Sequence, residues 1–164
     1  MFEQMHEFVR PVVSGAHARR HDLKLLRWAC LATLAAIAVQ FSLGTILNLY
    51  VPVPSSDAHA GMMREIQTAP AMLTAHAVLG LLLVVGAAIV AIQAITVRHG
   101  ALIAVATVGI VALIGAFVAG EEFVKNGGSG ASMTMALLAS VALVCYVIAE
   151  AIAHGVARRS ARQS

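Results

Sequence analysis

Four stretches of this chain are apolar for longer than a soluble helix usually needs to be. They run over Leu26–Leu49, Ala71–Val97, Ala101–Val124 and Ala131–His154. Each reaches the ~20 residues that an α-helix needs to cross a hydrocarbon core ~30 Å thick. Backbone polar groups in lipid must be satisfied within a helix or a closed barrel. The stretches are continuous and rich in Ala, Leu and Val, with no period-two alternation, so helices are expected. Only 12% of the 164 residues are charged, about half the usual share for a soluble domain. The fold expected is all-α: an integral membrane four-helix bundle with the helices running up-down-up-down.

The charges orient such a bundle. Arg10, Arg19, Arg20, Lys24, Arg27, Arg98, Arg158, Arg159 and Arg162 would all lie on one side, nine of the eleven Lys and Arg residues. Only Arg64 and Lys125 fall on the other, with Asp57, Glu65, Glu121 and Glu122. The positive-inside rule then puts both termini in the cytoplasm of a bacterial inner membrane. The net charge of +3 reads as topology, and no nucleic-acid partner is expected. The organisation expected is a polar N-terminal tail over 1–25, the bundle over 26–155 and a basic C-terminal tail over 156–164. The tail is read as mobile or interfacial, with a short amphipathic helix around Met5–Val13. The first span is longer than a signal-peptide core and no A-x-A site follows it directly, so it is read as retained.

His76 is the residue that bears on function. It lies in Thr74-Ala75-His76-Ala77-Val78-Leu79-Gly80, inside the second apolar run. An ionisable side chain there is expensive without a partner or ligand. Two readings stand. In one, His76 ligates a haem iron. In the other, it is a neutral imidazole hydrogen-bonded to Thr74, Gln40 or a helix carbonyl. Met135, with Met133 as the alternative, enters the fourth span at similar depth and offers a thioether, an established haem ligand. Met is also a common gap-filler in apolar cores. Gly80 follows His76 by one turn, and Gly44 lies in the first span. Both suit a flat macrocycle, and both suit close helix contact equally well. Gln40, Gly44 and Asn48 share one helix face that could hydrogen-bond a macrocycle or an imidazole. Arg64 and Lys125 are the outer-side cations available to propionates.

There is a weak internal echo. If Gly44 matches Gly115, then His76 matches Met135, and a site on a pseudo-two-fold axis would take one ligand from each helix pair. Glu121 and Glu122 could pair with Arg64 or Lys125, or bind a divalent metal with His59, though paired carboxylates at an interface are more often simply solvated. Glu150 and His154, four apart, are expected to share a hydrogen bond. Cys30 and Cys145 read as small apolar packing residues. No nucleophile triad, phosphate loop or C-x-x-C is present. No Met-x-x-Met or His-Cys cluster supports copper.

The segments Val39-Gln40-Phe41-Ser42-Leu43-Gly44-Thr45 and Thr74-Ala75-His76-Ala77-Val78-Leu79-Gly80 resemble one half of a haem A synthase-type four-helix bundle. More distantly, the pattern is similar to other small b-type membrane cytochromes. The resemblance covers the four spans and implies that His76 is an axial ligand. The half-bundle of that family has a second histidine in its fourth helix, where this chain has Met135 or Met133. The partner half does not appear, so synthase activity does not carry over. The expectation is a haem b protein engaged in one-electron transfer, or haem binding or sensing, near the outer face. Its partners would be quinol or a respiratory complex, and a homodimer would restore an eight-helix assembly. The alternative is a cofactor-free accessory or assembly subunit of a larger membrane complex. A small metal or proton transporter using His76, Glu121 and Glu122 is a third reading. The third and fourth spans offer it little polarity between Gly115 or Ser140 and Glu150.

Overall fold

The computed structural model of the chain describes residues 2–50, 71–126 and 129–162. It contains four helices: α1 (Phe2–Tyr50), α2 (Ala71–Val97), α3 (Gly100–Asn126) and α4 (Ser129–Arg162). Each includes a stretch long and apolar enough to cross a membrane. Helices α1 and α4 extend beyond these stretches. The segment expected as an N-terminal tail is the beginning of α1, and α4 likewise runs on to Arg162. Good helix formers carry α1 across the boundary, among them Ala18, Arg19, Arg20, Leu23, Lys24, Leu25 and Leu26.

The core follows one stripe per helix. On α2 the buried residues are Leu83, Ala87, Val90, Ala94 and Val97. On α3 they include Leu102, Ala106, Gly109, Leu113 and Ala116. On α1 the stripe is Leu23, Leu26, Cys30, Thr33 and Ile37. Steps of alternately three and four residues keep a stripe on one side of a helix and favour shallow-angle packing. Each helix packs on two others, α1 on α2 and α4, and α3 on α2 and α4. Much of the stripe is Ala, which lets backbones approach closely where lipid supplies no hydrophobic drive between helices.

The opposite faces carry exposed Leu81, Leu82, Val85, Ile89 and Ile92 on α2, and Val108, Val111, Ile114 and Val118 on α3. A continuous apolar exterior of this extent suits lipid rather than water. The exposed hydroxyls fit the same medium. Ser42, Thr45, Thr96, Thr107, Thr134 and Ser140 each donate to the carbonyl four residues back, at 2.8–3.0 Å. Each hydroxyl proton is satisfied within its own helix, as a non-aqueous surround requires.

Helices α2 and α3 meet in a tight turn. Arg98 has φ 54° and its N–H donates to Ile95 O at 3.0 Å, while Ile103 N–H donates to His99 O at 3.1 Å. The left-handed residue that ends α2 is therefore Arg98, although Gly100 lies two residues on. Helices α1 and α4 are tied by Arg27 Nε, which donates to Glu150 Oε1 at 2.9 Å. This corrects the expected Glu150–His154 bond. An opposite formal charge across the helix seam outcompetes a neighbour on the same helix.

Two outcomes follow. Arg98→Gly relieves a left-handed backbone and should raise the unfolding free energy by about 0.5–1 kcal/mol, read by thermal unfolding in detergent. In a double-mutant cycle of Arg27→Ala and Glu150→Ala, reversible SDS unfolding should give a coupling of about 1 kcal/mol. That size suits a pair that is only partly shielded from solvent.

Candidate functional site

The site is built where these buried stripes run on toward one end of the bundle. Continuing the α1 stripe beyond Ile37 by the same steps reaches Gln40, Gly44 and Leu47. Stepping back along α2 from Leu83 reaches Gly80 and His76. Continuing α3 beyond Ala116 reaches Gly120, and the α4 stripe reaches back to Leu138 and Met135. Gln40, Gly44, His76, Gly80 and Met135 thus sit on the faces that pack.

Gln40 joins α1 to α2. Its Nε2 donates to the His76 carbonyl at 3.0 Å and lies 3.1 Å from His76 Nε2. Two glycines make this possible. A Cβ on Gly80 would come within 3.2 Å of Gln40 Nε2, and one on Gly44 within 3.1 Å of His76 Cε1. The imidazole therefore lies against the bare backbone of α1, and the amide reaches over the bare backbone of α2.

The hydrogen bonding leaves two atoms over. His76 Nδ1 and Gln40 Oε1 are both buried with no partner. Gln40 Nε2 can offer only N–H, so the ring accepts at Nε2 and carries its proton on Nδ1, where nothing receives it. Turning the amide over presents Oε1 to Nε2–H instead. Oε1 is then satisfied, and Nδ1 becomes a bare lone pair, while the bond to the His76 carbonyl is given up. The pair thus has two arrangements, one of which frees a ring nitrogen as a donor atom.

On the other side of the bundle, Met135 Sδ lies 3.3 Å from where a Cβ on Gly120 would stand. Gly115, the residue suggested by the internal echo, faces Leu138 instead, 3.0 Å from its Cδ1. The echo holds in kind but with a shifted register: a glycine on the first helix of each pair faces His76 or Met135 on the second. Their depths can be compared through Phe117, whose Cδ2 is 3.8 Å from a Cβ placed on Gly80. His76 lies one turn from Gly80, and Gly120 lies about one turn from Phe117 in the same direction, because α2 and α3 are antiparallel across the tight turn. The imidazole and the Met135 sulfur are therefore within about one turn of the same level. Met133 is 65% exposed and lies on the outer face of α4.

At the end of α3, Lys125 Nζ donates to Glu121 Oε1 at 2.6 Å, and Asn126 Nδ2 donates to Glu122 Oε1. Among the described residues no group of three His, Cys, Asp or Glu side chains could hold a metal ion. Arg64 and His59 lie outside the described residues, as does the Asn48 side chain. Cys30 and Cys145 are buried and unpaired.

Some contacts were missed from sequence. Tyr146 is fully buried, and its Cζ lies 3.1 Å from a Cβ placed on Gly109. The pairing of a glycine with a large aromatic at the same depth was its only signal. Comparison with protein-family models, with curated proteins and with solved structures returns no match for this chain.

Gly44→Ala should push the imidazole off α1 and loosen the Gln40 clamp, costing about 1–3 kcal/mol. Gly155→Ala is the control. It is helical with nothing within 4 Å of the new Cβ, so it should gain up to about 1 kcal/mol. Thermal unfolding of both variants in one detergent separates the two.

Proposed function

We propose that this chain is a multi-pass membrane protein of a bacterial inner membrane that binds haem b near the outer face. His76 and Met135 would hold its iron, and the function is one-electron transfer, or haem binding or sensing. The observation that carries this reading is the imidazole of His76. It is oriented by Gln40 at one nitrogen and buried without a partner at the other. Metal-ligating histidines commonly donate the far N–H to a second residue, which here is the arrangement with the Gln40 amide turned over.

The fit of a haem rests on three features of the chain itself. The orphaned ring nitrogen is one. The bare backbone at Gly44 is the second, since it seats the imidazole of His76 itself. The third is the shared level of His76 and the Met135 sulfur. Gln40 would orient the ligand ring and set its tautomer. The apolar stripes of α2 and α3 would exclude water, and Lys125 at the end of α3 would lend the propionates positive charge. When bound, the group supplies a reversible ferric–ferrous couple, whose potential a thioether ligand raises. Quinol or a respiratory complex is the electron partner this reading implies. The charge distribution, with nine of eleven Lys and Arg on one side, supports cytoplasmic termini.

A second reading is favoured by a specific contact. Gln40 already engages His76 Nε2 and the His76 carbonyl, which suffices for a purely structural clamp in a cofactor-free accessory subunit.

Visible spectra of the purified protein, oxidised and dithionite-reduced, separate the two. The haem reading expects a Soret band and sharp reduced α and β bands, both lost in His76→Ala. Met135→Ala should keep the Soret band but shift it to a five-coordinate form with a lower midpoint potential. A wild type that stays colourless after haem addition would overturn the proposal. The clamp reading would then expect His76→Ala and Gln40→Ala to cost about 1 kcal/mol each in stability.

A further inference from the structure

A second polar feature lies near the other end of the bundle and has no part in the site above. A cleft of about 100 Å³ between α1 and α2 is lined by Asp22, Leu25, Gln93 and Thr96. Three of the four present oxygen acceptors. Asp22 carries a carboxylate with no ion pair among the described side chains. Gln93 Oε1 is buried with no hydrogen-bond partner. Thr96 gives its hydroxyl proton to Ile92 O at 3.0 Å, so its oxygen has only lone pairs left to offer. Leu25 supplies an apolar wall and is itself largely exposed.

We infer that this cleft binds the primary ammonium of an aminophospholipid headgroup. The chemistry is one of matching counts. An –NH₃⁺ group has three donors and no acceptor; the Asp22 carboxylate and the Thr96 hydroxyl oxygen are open to it, and Gln93 Oε1 joins them once its side chain turns into the cleft. The volume admits an ammonium with its first methylene and a water or two, since a water takes about 30 Å³ in the liquid. Position argues for a lipid source. Asp22 stands where the first membrane-spanning stretch begins, and Thr96 stands one residue before the end of α2. That is headgroup depth. Lys24 and Arg98 are exposed at the same end of the bundle and add positive charge at headgroup depth. A choline headgroup has no N–H donor, and a glycerol headgroup has no positive charge.

The test is native mass spectrometry of the full chain in detergent. The delipidated protein is offered equal amounts of phosphatidylethanolamine, phosphatidylcholine and phosphatidylglycerol. Phosphatidylethanolamine should be retained at least five-fold over the other two. Asp22→Asn and Thr96→Val, both close to isosteric, should each reduce that preference, with Asp22→Asn bringing it to the level of phosphatidylcholine. Unchanged thermal unfolding of the variants shows that the loss is local. Equal retention of all three lipids by the wild type, or an undiminished preference in Asp22→Asn, would overturn the assignment. Binding of free ethanolamine without any preference among lipids would overturn the lipid source.

Discussion

The bundle stands on how closely two helix backbones can approach in a medium that gives no hydrophobic reward for helix association. Lipid is as apolar as the side chains it surrounds, so helices are held by packing at short range and by a few polar contacts. Alanine stripes on α2 and α3 supply the first. Glycines supply the closest approaches, and each has a large partner: Gly44 meets His76, Gly109 meets Tyr146, and Gly120 meets Met135. Small and large residues interlock across each pair, and the functional candidates are among the large ones. Chemistry and packing therefore use the same positions.

The polar groups divide into two kinds. Hydroxyls on the lipid face close on their own helix and ask nothing of the rest of the molecule. Polar atoms inside the bundle are different. His76 Nδ1, Gln40 Oε1, Gln93 Oε1, His99 Nδ1, Tyr146 Oη and Glu150 Oε2 are buried and left without a partner. Each such atom costs about 1–3 kcal/mol relative to one that is satisfied. Two of the six belong to the His76–Gln40 pair and one to the acceptor-lined cleft; the other three lie apart, at His99, Tyr146 and Glu150.

The spans were legible because apolar length is a direct reading of the solvent. The expected second span, Ala71–Val97, coincides with α2, and Ala101–Val124 falls within Gly100–Asn126. The partner of His76 was among the alternatives that sequence left open, because Gln40 lies one turn from Gly44 on the face that packs. What sequence misjudged was rotation and reach. Matching Gly115 to Gly44 used local likeness, but the stripe on α3 passes through Ala116 and Gly120, so Gly120 meets Met135. Pairing Glu150 with His154 used helical spacing, but Arg27, 123 positions away, carries the opposite charge. Single-sequence reasoning sees the period of a helix well and sees which neighbour that period will meet only through charge or size.

The Arg27–Glu150 pair joins the first helix to the last, and this bears on how the bundle is made. During synthesis α1 enters the membrane while the rest of the chain is still unmade. Its guanidinium must wait, beside water and headgroups, for a carboxylate that emerges only when α4 does. The ring of helices cannot shut before that moment. A chain that stops short of Glu150 leaves Arg27 at the seam without that counter-charge.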